Sequence, residues 1–342
     1  MIFDRAVNHR VSNQARAPSG TTLTISDATS WETGAISEDK SMKLSAVNAC
    51  VEVLSNTISK LPIYVSDGNT KEKLKNHPLA YLLSVRPNEA MTPSVAKKLT
   101  HCNVLLGGNG YQIIVRDSIN ARPRELIPVP YYCIEPFFDT EGKLWYLYTN
   151  PRTGEMRRLN QFDVLHYKAY SEDGITGISV LTRAQETIST ARAAQRYENK
   201  FYSMNAQPSG VLTIDTSLDK EAKDKVRAEW ERIQSGVDNS FRTAVLDLGM
   251  KYQPISISNK DAQFSESKAV TVEDISRFFG VPLYKLGAGK QSYNSNEQNG
   301  IEYISGTIHP YISQYEEEDS YKLLFDSELN RGMWIKRNMM AE

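Results

Sequence analysis

Residues 264–286 read FSESKAVTVEDISRFFGVPLYKL, and GAGKQSYN follows at residues 287–294. In the first stretch, apolar side chains recur at three- and four-residue steps as far as Phe279, which predicts a helix with one apolar face. Gly280 suits a left-handed cap that would end this helix. The second stretch has no apolar anchor except Tyr293, so it predicts a flexible polar loop.

A second helix is predicted after this loop. Ser295 and Gln298 have the spacing of a capping box, which favours a helix start. Pro310 lies within the helix and removes a backbone donor, so we expect a kink near Gly306. The predicted buried stripe consists of Ile301, Ile304, Ile308, Tyr311, Ile312, Tyr315, Leu323 and Leu324. Two helices joined by an exposed loop indicate a device that presents the loop to a partner.

The composition is that of a folded, globular protein. Of 342 residues, 40% are hydrophobic and 24% are charged, which allows two or three structural units. The 40 basic residues are balanced by 41 acidic ones, which disfavours a tight DNA binder but not a protein that only surrounds DNA. The three cysteines are widely spaced and odd in number, which predicts reduced thiols in a cytosolic protein. No apolar run approaches the length of a membrane span.

The remaining elements are predicted from periodicity and turn signals. Residues 1–40 are poor in large apolar side chains and predict a flexible arm. An amphipathic helix is expected from Leu44 as far as Leu61-Pro62, and antiparallel strands are expected between Leu126 and His166. Gly107–Gly110 is interpreted as a hairpin turn.

A small α+β insert is predicted between two helices. A helix from Leu181 to about Met204 leads into it. The insert itself has strands at Val211–Ile214, near Thr243–Leu248 and near Tyr252–Ile257, and a helix at Lys220–Gln234. This order indicates a lobe at the far end of two helices.

A search for catalytic chemistry finds little. Gly287–Lys290 resembles part of a phosphate-binding loop, but that motif needs glycine at Tyr284, Ser or Thr at Gln291, and a preceding strand. The five histidines lack metal-ligand spacing, so we predict no metal and no cofactor. His166 is interpreted as a hydrogen-bonded sheet residue. The consecutive acids Glu316–Asp319 are interpreted as a solvated helix face. No catalytic residue is assigned, and an enzyme is not favoured.

An ordered set of motifs resembles the portal proteins of tailed bacteriophages, of the HK97 type. The resemblance extends from about Leu44 to Phe325, and the order of the motifs is more specific than any one of them. Val180 departs from the family, which commonly has proline there. The chain also ends soon after Gly332–Met339, where many relatives continue. The motifs are His77–Leu79, Pro87-Asn88, Gly108–Tyr111, Glu125–Pro128, Val164–His166, Gly177–Leu181, Pro208–Leu212, Asp261–Phe264, Ile275–Pro282 and Ser295–Glu297.

The resemblance implies an α+β portal fold that assembles as a ring. It implies an arm at residues 1–40, a wing at 41–180, stem helices at 181–207 and 261–285, a clip at 208–260, a tunnel loop at 286–296, and a long kinked wing helix with the start of a shortened crown region at 297–342.

The resemblance also implies the site residues. The tunnel loop would face DNA through Gly287, Gly289, Lys290, Gln291, Ser292, Tyr293 and Asn294. The clip would meet the packaging motor and the tail adaptor, and its charged candidates are Arg227, Glu231 and Arg232. A channel rich in lysine would hold phosphates too firmly, so a loop with the single cation Lys290 suits sliding. The alternative is that this loop packs against a neighbouring subunit.

The implied function is a channel for double-stranded DNA at one capsid vertex, used for packaging, ejection and head–tail joining. The implied partners are further copies in a ring of usually twelve, the terminase large subunit, a head–tail adaptor, and the major capsid and scaffold proteins, without a membrane. The implied location is the virion, with host cytoplasm during assembly. The alternatives are a nucleotide-dependent DNA translocase and a cytosolic oligomeric scaffold without DNA.

Overall fold

The computed structural model describes residues 41–203, 210–213, 219–234, 251–254, 264–288 and 296–339. The predicted arm at 1–40, most of the predicted tunnel loop and the predicted strand near Thr243–Leu248 lie outside these residues. The chain divides into two compact units, one made of Met1–Gln185 with Ile275–Glu342 and the other of Glu186–Asp274.

The described residues form helices and strands that follow one another in mixed order along the chain. The helices are α1 (Ser45–Lys60), α2 (Leu79–Ser84), α3 (Pro93–Gly107), α4 (Val180–Arg183), α5 (Gln185–Ser203), α6 (Lys220–Gln234), α7 (Phe264–Phe279), α8 (Asn296–Glu302), α9 (His309–Leu323) and α10 (Asp326–Leu329). The strands are β1 (Ile63–Asp67), β2 (Asn109–Arg116), β3 (Pro123–Val129), β4 (Ile134–Phe138), β5 (Leu144–Thr149), β6 (Met156–Asn160), β7 (Val164–Lys168), β8 (Gly210–Thr213), β9 (Lys251–Pro254) and β10 (Met333–Arg337).

Within the described residues, the strands pair in four small antiparallel sheets. Their orders are β1-β10, β3-β2-β7, β4-β5-β6 and β8-β9. The predicted antiparallel strands between Leu126 and His166 are therefore confirmed. Strand β10 pairs with β1 from the opposite end of the first unit, with Ile335 opposite Val65. This pairing joins the N-terminal and C-terminal segments of the first unit.

The core of the first unit lies between the sheets and the helices that cover them. Helix α1 buries its predicted stripe, with Val47 and Leu54 fully inaccessible, and it ends before Pro62, as expected. Thr92 caps helix α3, because its hydroxyl accepts a hydrogen bond from Val95 N, and Pro93 occupies the first turn. A second apolar cluster, around Tyr111 and Tyr146, joins the two three-stranded sheets.

The interpretation of Gly107–Gly110 as a hairpin turn is wrong. These residues end helix α3 and begin β2, with Gly108 in the left-handed region at φ 78°. A Cβ atom on Gly108 would lie 2.3 Å from the carbonyl oxygen of Gly177. Asn109 joins the same two segments, because its side chain donates to Gly177 O at 2.9 Å and accepts from Gly177 N at 2.8 Å. Residue 108 must therefore be glycine, because its backbone lies close to the backbone of Gly177.

The described parts of the second unit agree with the predicted α+β insert. Helix α6 has the predicted bounds, and the Asp219 carboxylate accepts a hydrogen bond from Ala222 N at 2.8 Å, which stabilises its first turn. Strands β8 and β9 pair, with Leu212 opposite Tyr252.

The helix predicted from Leu181 is divided in two. Ala184 leaves the helical conformation, at φ −92° and ψ 10°, between α4 and α5. Ser179 caps α4 by accepting a hydrogen bond from Thr182 N at 2.9 Å.

Candidate functional site

Two glycines in the left-handed region lie on the N-terminal side of the predicted loop, one at the end of α7 and one at the start of the loop. Helix α7 stops at Gly280, which has φ 66°, and Val281 N donates back to Ser276 O at 3.0 Å. A 3₁₀ turn at Leu283–Leu286 follows and ends at Gly287, which has φ 70°. Both positions disfavour side chains, because L-residues other than glycine rarely adopt this region. The predicted cap at Gly280 is confirmed.

Side chains tie the two sides of the loop to each other. The Tyr284 hydroxyl donates to the carbonyl of Asn299 in α8 at 2.8 Å. The Thr307 hydroxyl donates to the carbonyl of Gly280 at 2.6 Å. We call these contacts the loop base. They hold the chain entering the loop beside the chain leaving it.

The loop base is anchored to α1 through Tyr303. The Tyr303 ring is buried, and its hydroxyl hydrogen-bonds the Thr57 hydroxyl at 3.1 Å. The ammonium of Lys285 lies 5.1 Å from the centre of the same ring, within the range of a cation–π contact. The ends of the loop are therefore fixed to the core of the first unit.

The kink near Gly306 stays a prediction, and at this place in the following helix the structure has a π-helical segment. It spans Tyr303–Ile308, between α8 and α9, and includes Gly306. Pro310 explains it, because the proline nitrogen cannot donate to the carbonyl four residues earlier. The predicted buried stripe is wrong at its first member, since Ile301 is 55% exposed. Ile308 and Ile312 are buried as predicted.

The interpretation of Glu316–Asp319 as a solvated face is wrong. Glu316 and Asp319 are buried, and Glu318 is only partly exposed, whereas Glu317 is exposed as expected. Buried carboxylates need hydrogen bonds or cations nearby. The contacts of α9 with two sheets give these carboxylates both hydrogen bonds and cations.

The first contact is with β7, an edge strand of its sheet. The backbone N–H groups of His166 and Lys168 donate to the side chains of Glu318 and Gln314, at 2.8 and 2.9 Å. Lys322 donates to the carbonyl of Val164 at 2.7 Å. Alternate residues of an edge strand direct their backbone groups away from the sheet. Side chains of α9 thus take the place of a neighbouring strand.

The second contact repeats this arrangement on β10. Ile335 N donates to the Ser320 hydroxyl at 2.9 Å, and Arg337 N donates to the Glu316 carboxylate at 2.6 Å. The Glu316 carboxylate also accepts from Lys336 at 2.8 Å. Helix α9 therefore covers the edges of two sheets at once and joins them.

A buried ion pair lies at the centre of this junction. Arg337 Nη2 donates to Asp319 Oδ2 at 2.7 Å, and the two side chains are only 4% and 3% exposed. The Tyr167 hydroxyl donates to the other Asp319 oxygen. Burial alone would lower the pKa of Arg337, but Asp319, Tyr167 and Glu316 raise it above its ordinary value. Arg337 thus remains charged and depends on Asp319.

Two buried histidines lie beside α9 and in the adjoining sheet. His101 Nδ1 hydrogen-bonds the Tyr315 hydroxyl at 2.7 Å, and burial lowers the pKa of His101 to about 3. His166 hydrogen-bonds Tyr146 at 3.1 Å and Asn109 at 2.9 Å, and burial lowers its pKa well below the ordinary value. The interpretation of His166 as a hydrogen-bonded sheet residue is confirmed.

Because of these two histidines, we expect the folded protein to lose stability in mild acid. Their pKa values in the folded state lie below the unfolded value of about 6.5, so their stabilising effect is complete above that pH and declines as the pH falls. Each neutral histidine should contribute a decline of about 1.4 kcal/mol per pH unit below about pH 6. Urea unfolding between pH 7 and pH 5 measures this decline.

The matched variants for this prediction are His101→Gln and His309→Gln. Glutamine at position 101 can still bond Tyr315 but does not titrate, so the pH dependence should shrink by one histidine's share. His309 is exposed, so its variant controls for the loss of a surface imidazole. An unchanged slope in His101→Gln would contradict the assignment.

Other candidate chemistry is sparse in the described residues. Within them, no group of three His, Cys, Asp or Glu side chains is placed to hold a metal ion. No helix among these residues has the length and apolarity to cross a membrane. All three cysteines are unpaired, and Cys50 and Cys133 are buried.

The predicted site residues fall in two places. Gly287 ends the 3₁₀ turn of the loop base, whereas Gly289–Asn294 lie outside the described residues. Arg227, Glu231 and Arg232 lie on α6 of the second unit. The feature that sequence reasoning missed is the double role of α9.

Comparison with known proteins decides the family. The family described as "Phage portal protein" matches residues 45–341. The chain belongs to the phage portal protein family. This portal protein is 28% identical over 337 residues to the probable portal protein of Streptomyces phage phiC31, covering 95% of this chain and 70% of that one.

Solved structures support the portal fold. An HK97 family phage portal protein from Corynebacterium diphtheriae aligns with a TM-score of 0.66 at 16% identity, covering 89% of this chain and 96% of that one. A chain from the neck of a native gene transfer agent particle, computed with C12 symmetry, aligns with a TM-score of 0.63 at 21% identity, covering 89% and 85%. The α+β portal fold and the resemblance to portal proteins are confirmed. Portal proteins are structural components of phage particles.

Proposed function

We propose that twelve copies of this portal protein form a ring at one capsid vertex, around a channel through which double-stranded DNA enters and leaves. The observation that carries the proposal is the family match across residues 45–341. The neck structure with C12 symmetry supports the subunit number. In this proposal the protein also joins head to tail and has no enzymatic activity.

The domain divisions that we propose are those that the family resemblance implies. Residues 41–180 and the helix after residue 297 form the wing, 181–207 and 261–285 form the stem, and 208–260 form the clip. The pairing of β10 with β1 supports assigning Met333–Arg337 to the wing as well. The division at Glu186–Asp274 supports a separate stem-and-clip unit.

The loop at 286–296 is proposed to face the DNA. Its base is tied by Tyr284 and Thr307 and anchored through Tyr303. A fixed base places the loop in the same position in every subunit of a symmetric ring. Polar side chains on the loop would make exchangeable contacts with phosphates, and Lys290 would add one cation per subunit.

A complementation experiment tests the proposed function. In the phage that encodes this chain, particles made without it should contain no DNA that resists nuclease, and supplying the chain should restore protected DNA. Full DNA content in particles that lack the chain would contradict the proposal. Binding of ATP by the purified chain would instead favour a translocase.

The clip is proposed to bind the terminase large subunit during packaging and the head–tail adaptor afterwards. Reversing the charges of Arg227, Glu231 and Arg232 together should leave rings intact and weaken terminase binding, because charges at the rim of an interface mainly tune association. A binding titration with assembled rings measures this change, and we expect a loss of roughly tenfold, about 1.4 kcal/mol.

The control for the clip variant is Lys143→Glu, on an exposed hairpin of the first unit. It should bind terminase as the native ring does. Native affinity for terminase after reversal of all three clip charges would show that these charges of α6 are not part of the interface.

A further inference from the structure

A small cavity lies within the first unit, beside the Asp319–Arg337 pair. Its volume is about 30 Å³. The polar groups lining it are Lys97, Gln112, Tyr167, Asp319 and Arg337, and Ala96 forms part of the apolar wall. The cavity therefore joins α3 and β2 to the junction made by α9, β7 and β10.

The Arg337 guanidinium brings unsatisfied donors to this cavity. Its Nη2 donates to Asp319, but Nε and Nη1 are buried and have no acceptor in the described protein. The side chain is 4% exposed, so bulk solvent does not satisfy these donors. Buried N–H groups of a cation without acceptors are strongly unfavourable, and ordered water usually satisfies them.

The geometry of guanidinium sets the number of acceptors that are needed. Nε–H and the Nη1–H groups lie on different sides of the planar group, so one small acceptor cannot serve both. A water needs about 10–15 Å³ of such cavity volume. The cavity volume of about 30 Å³ therefore has room for two waters.

The Asp319 carboxylate favours water over an anion as the occupant of this cavity. Lys97 and Arg337 are cations, and burial, followed by the neighbouring Arg337, lowers the pKa of Lys97 to about 8. The Asp319 carboxylate lines the same cavity and would repel a halide. Water can accept from Arg337 and at the same time donate to Asp319 or to the amide oxygen of Gln112, whose nitrogen is bonded to Thr100.

We propose that two internal water molecules occupy this cavity, one on Arg337 Nε and one on Arg337 Nη1, and complete the hydrogen bonding between α3, β10 and α9. This hydration site is part of the folded subunit and does not rest on the proposed function. It makes the buried ion pair one component of a larger polar network.

A crystal structure of the whole chain, grown in bromide and resolved well enough to show ordered solvent, tests the proposal directly. We expect two peaks, about 3 Å from Nε and Nη1, with no anomalous signal. An anomalous peak would show that the site binds halide, and empty density would show that it is dry. Either result would overturn the proposal.

A stability measurement gives an independent test, because filling a dry cavity and displacing water change the Tm in opposite directions. Ala96→Val adds two methyl groups to the cavity wall. If waters are displaced, the Tm should fall below that expected from the helix propensity of valine alone. The difference between Lys98→Val and Lys98→Ala, two residues further along α3, supplies that expectation. A Tm equal to or above it would overturn the proposal.

Discussion

Replacing Asp319 with alanine is expected to lower the free energy of unfolding by about 3–5 kcal/mol, because the buried Arg337 then has no counter-ion. The Tyr167 hydroxyl also loses its acceptor. The loss should weaken the junction of α9 with β10 and impair assembly, since the helix that follows the loop base would be held less firmly. Chemical unfolding of the subunit and sizing of the assembled product measure the two effects.

Glu317→Ala is the matched control for this variant. It removes the same charge from the same helix at an exposed position, where substitutions usually change stability by less than about 0.5 kcal/mol. Asp319→Asn should fall between the two, because the amide keeps an acceptor for Tyr167 but not the charge for Arg337. Equal stability for Asp319→Ala and Glu317→Ala would contradict the account of the junction.

Replacing Lys290 with glutamate is expected to leave rings intact and to reduce the DNA packaged per particle by roughly tenfold or more. Each close phosphate contact would become repulsive by about 1 kcal/mol in water, and several subunits would contribute at once. The screening length is about 8 Å at physiological salt, so the repulsion acts only on DNA that passes close to the loop. Nuclease-protected DNA in purified particles measures the effect.

Two comparisons support the interpretation of that result. Lys290→Gln removes the cation without adding an anion and should package nearly as well as the native protein. Added salt should partly restore packaging by Lys290→Glu, because it screens the repulsion. Failure of Lys290→Glu to form rings would instead assign the loop to a contact between subunits.

The fold was predictable where local chemistry determines it. Gly280 and the predicted helix at Lys220–Gln234 gave correct helix boundaries, because caps and periodicity act within a few residues. The family was predictable from the order of motifs along the chain. By contrast, Gly107–Gly110 was misread because Gly108 serves a close approach to Gly177, which is remote in sequence.

The role of α9 was missed because charge was given more weight than position. Glu316 and Asp319 follow Ile312 by four and seven residues, so they lie on the buried face. That spacing indicates that both acids require partners. The identity of the partners, on β7 and β10, depends on tertiary contacts that no local pattern contains.

Imaging the assembled protein by electron microscopy, with side chains resolved, is the most direct test of the channel proposal. The account predicts a closed ring with an axial hole wide enough for duplex DNA, with residues 287–294 of every subunit at its narrowest point. Open filaments, a ring without an axial hole, or a loop on the outer surface would contradict it.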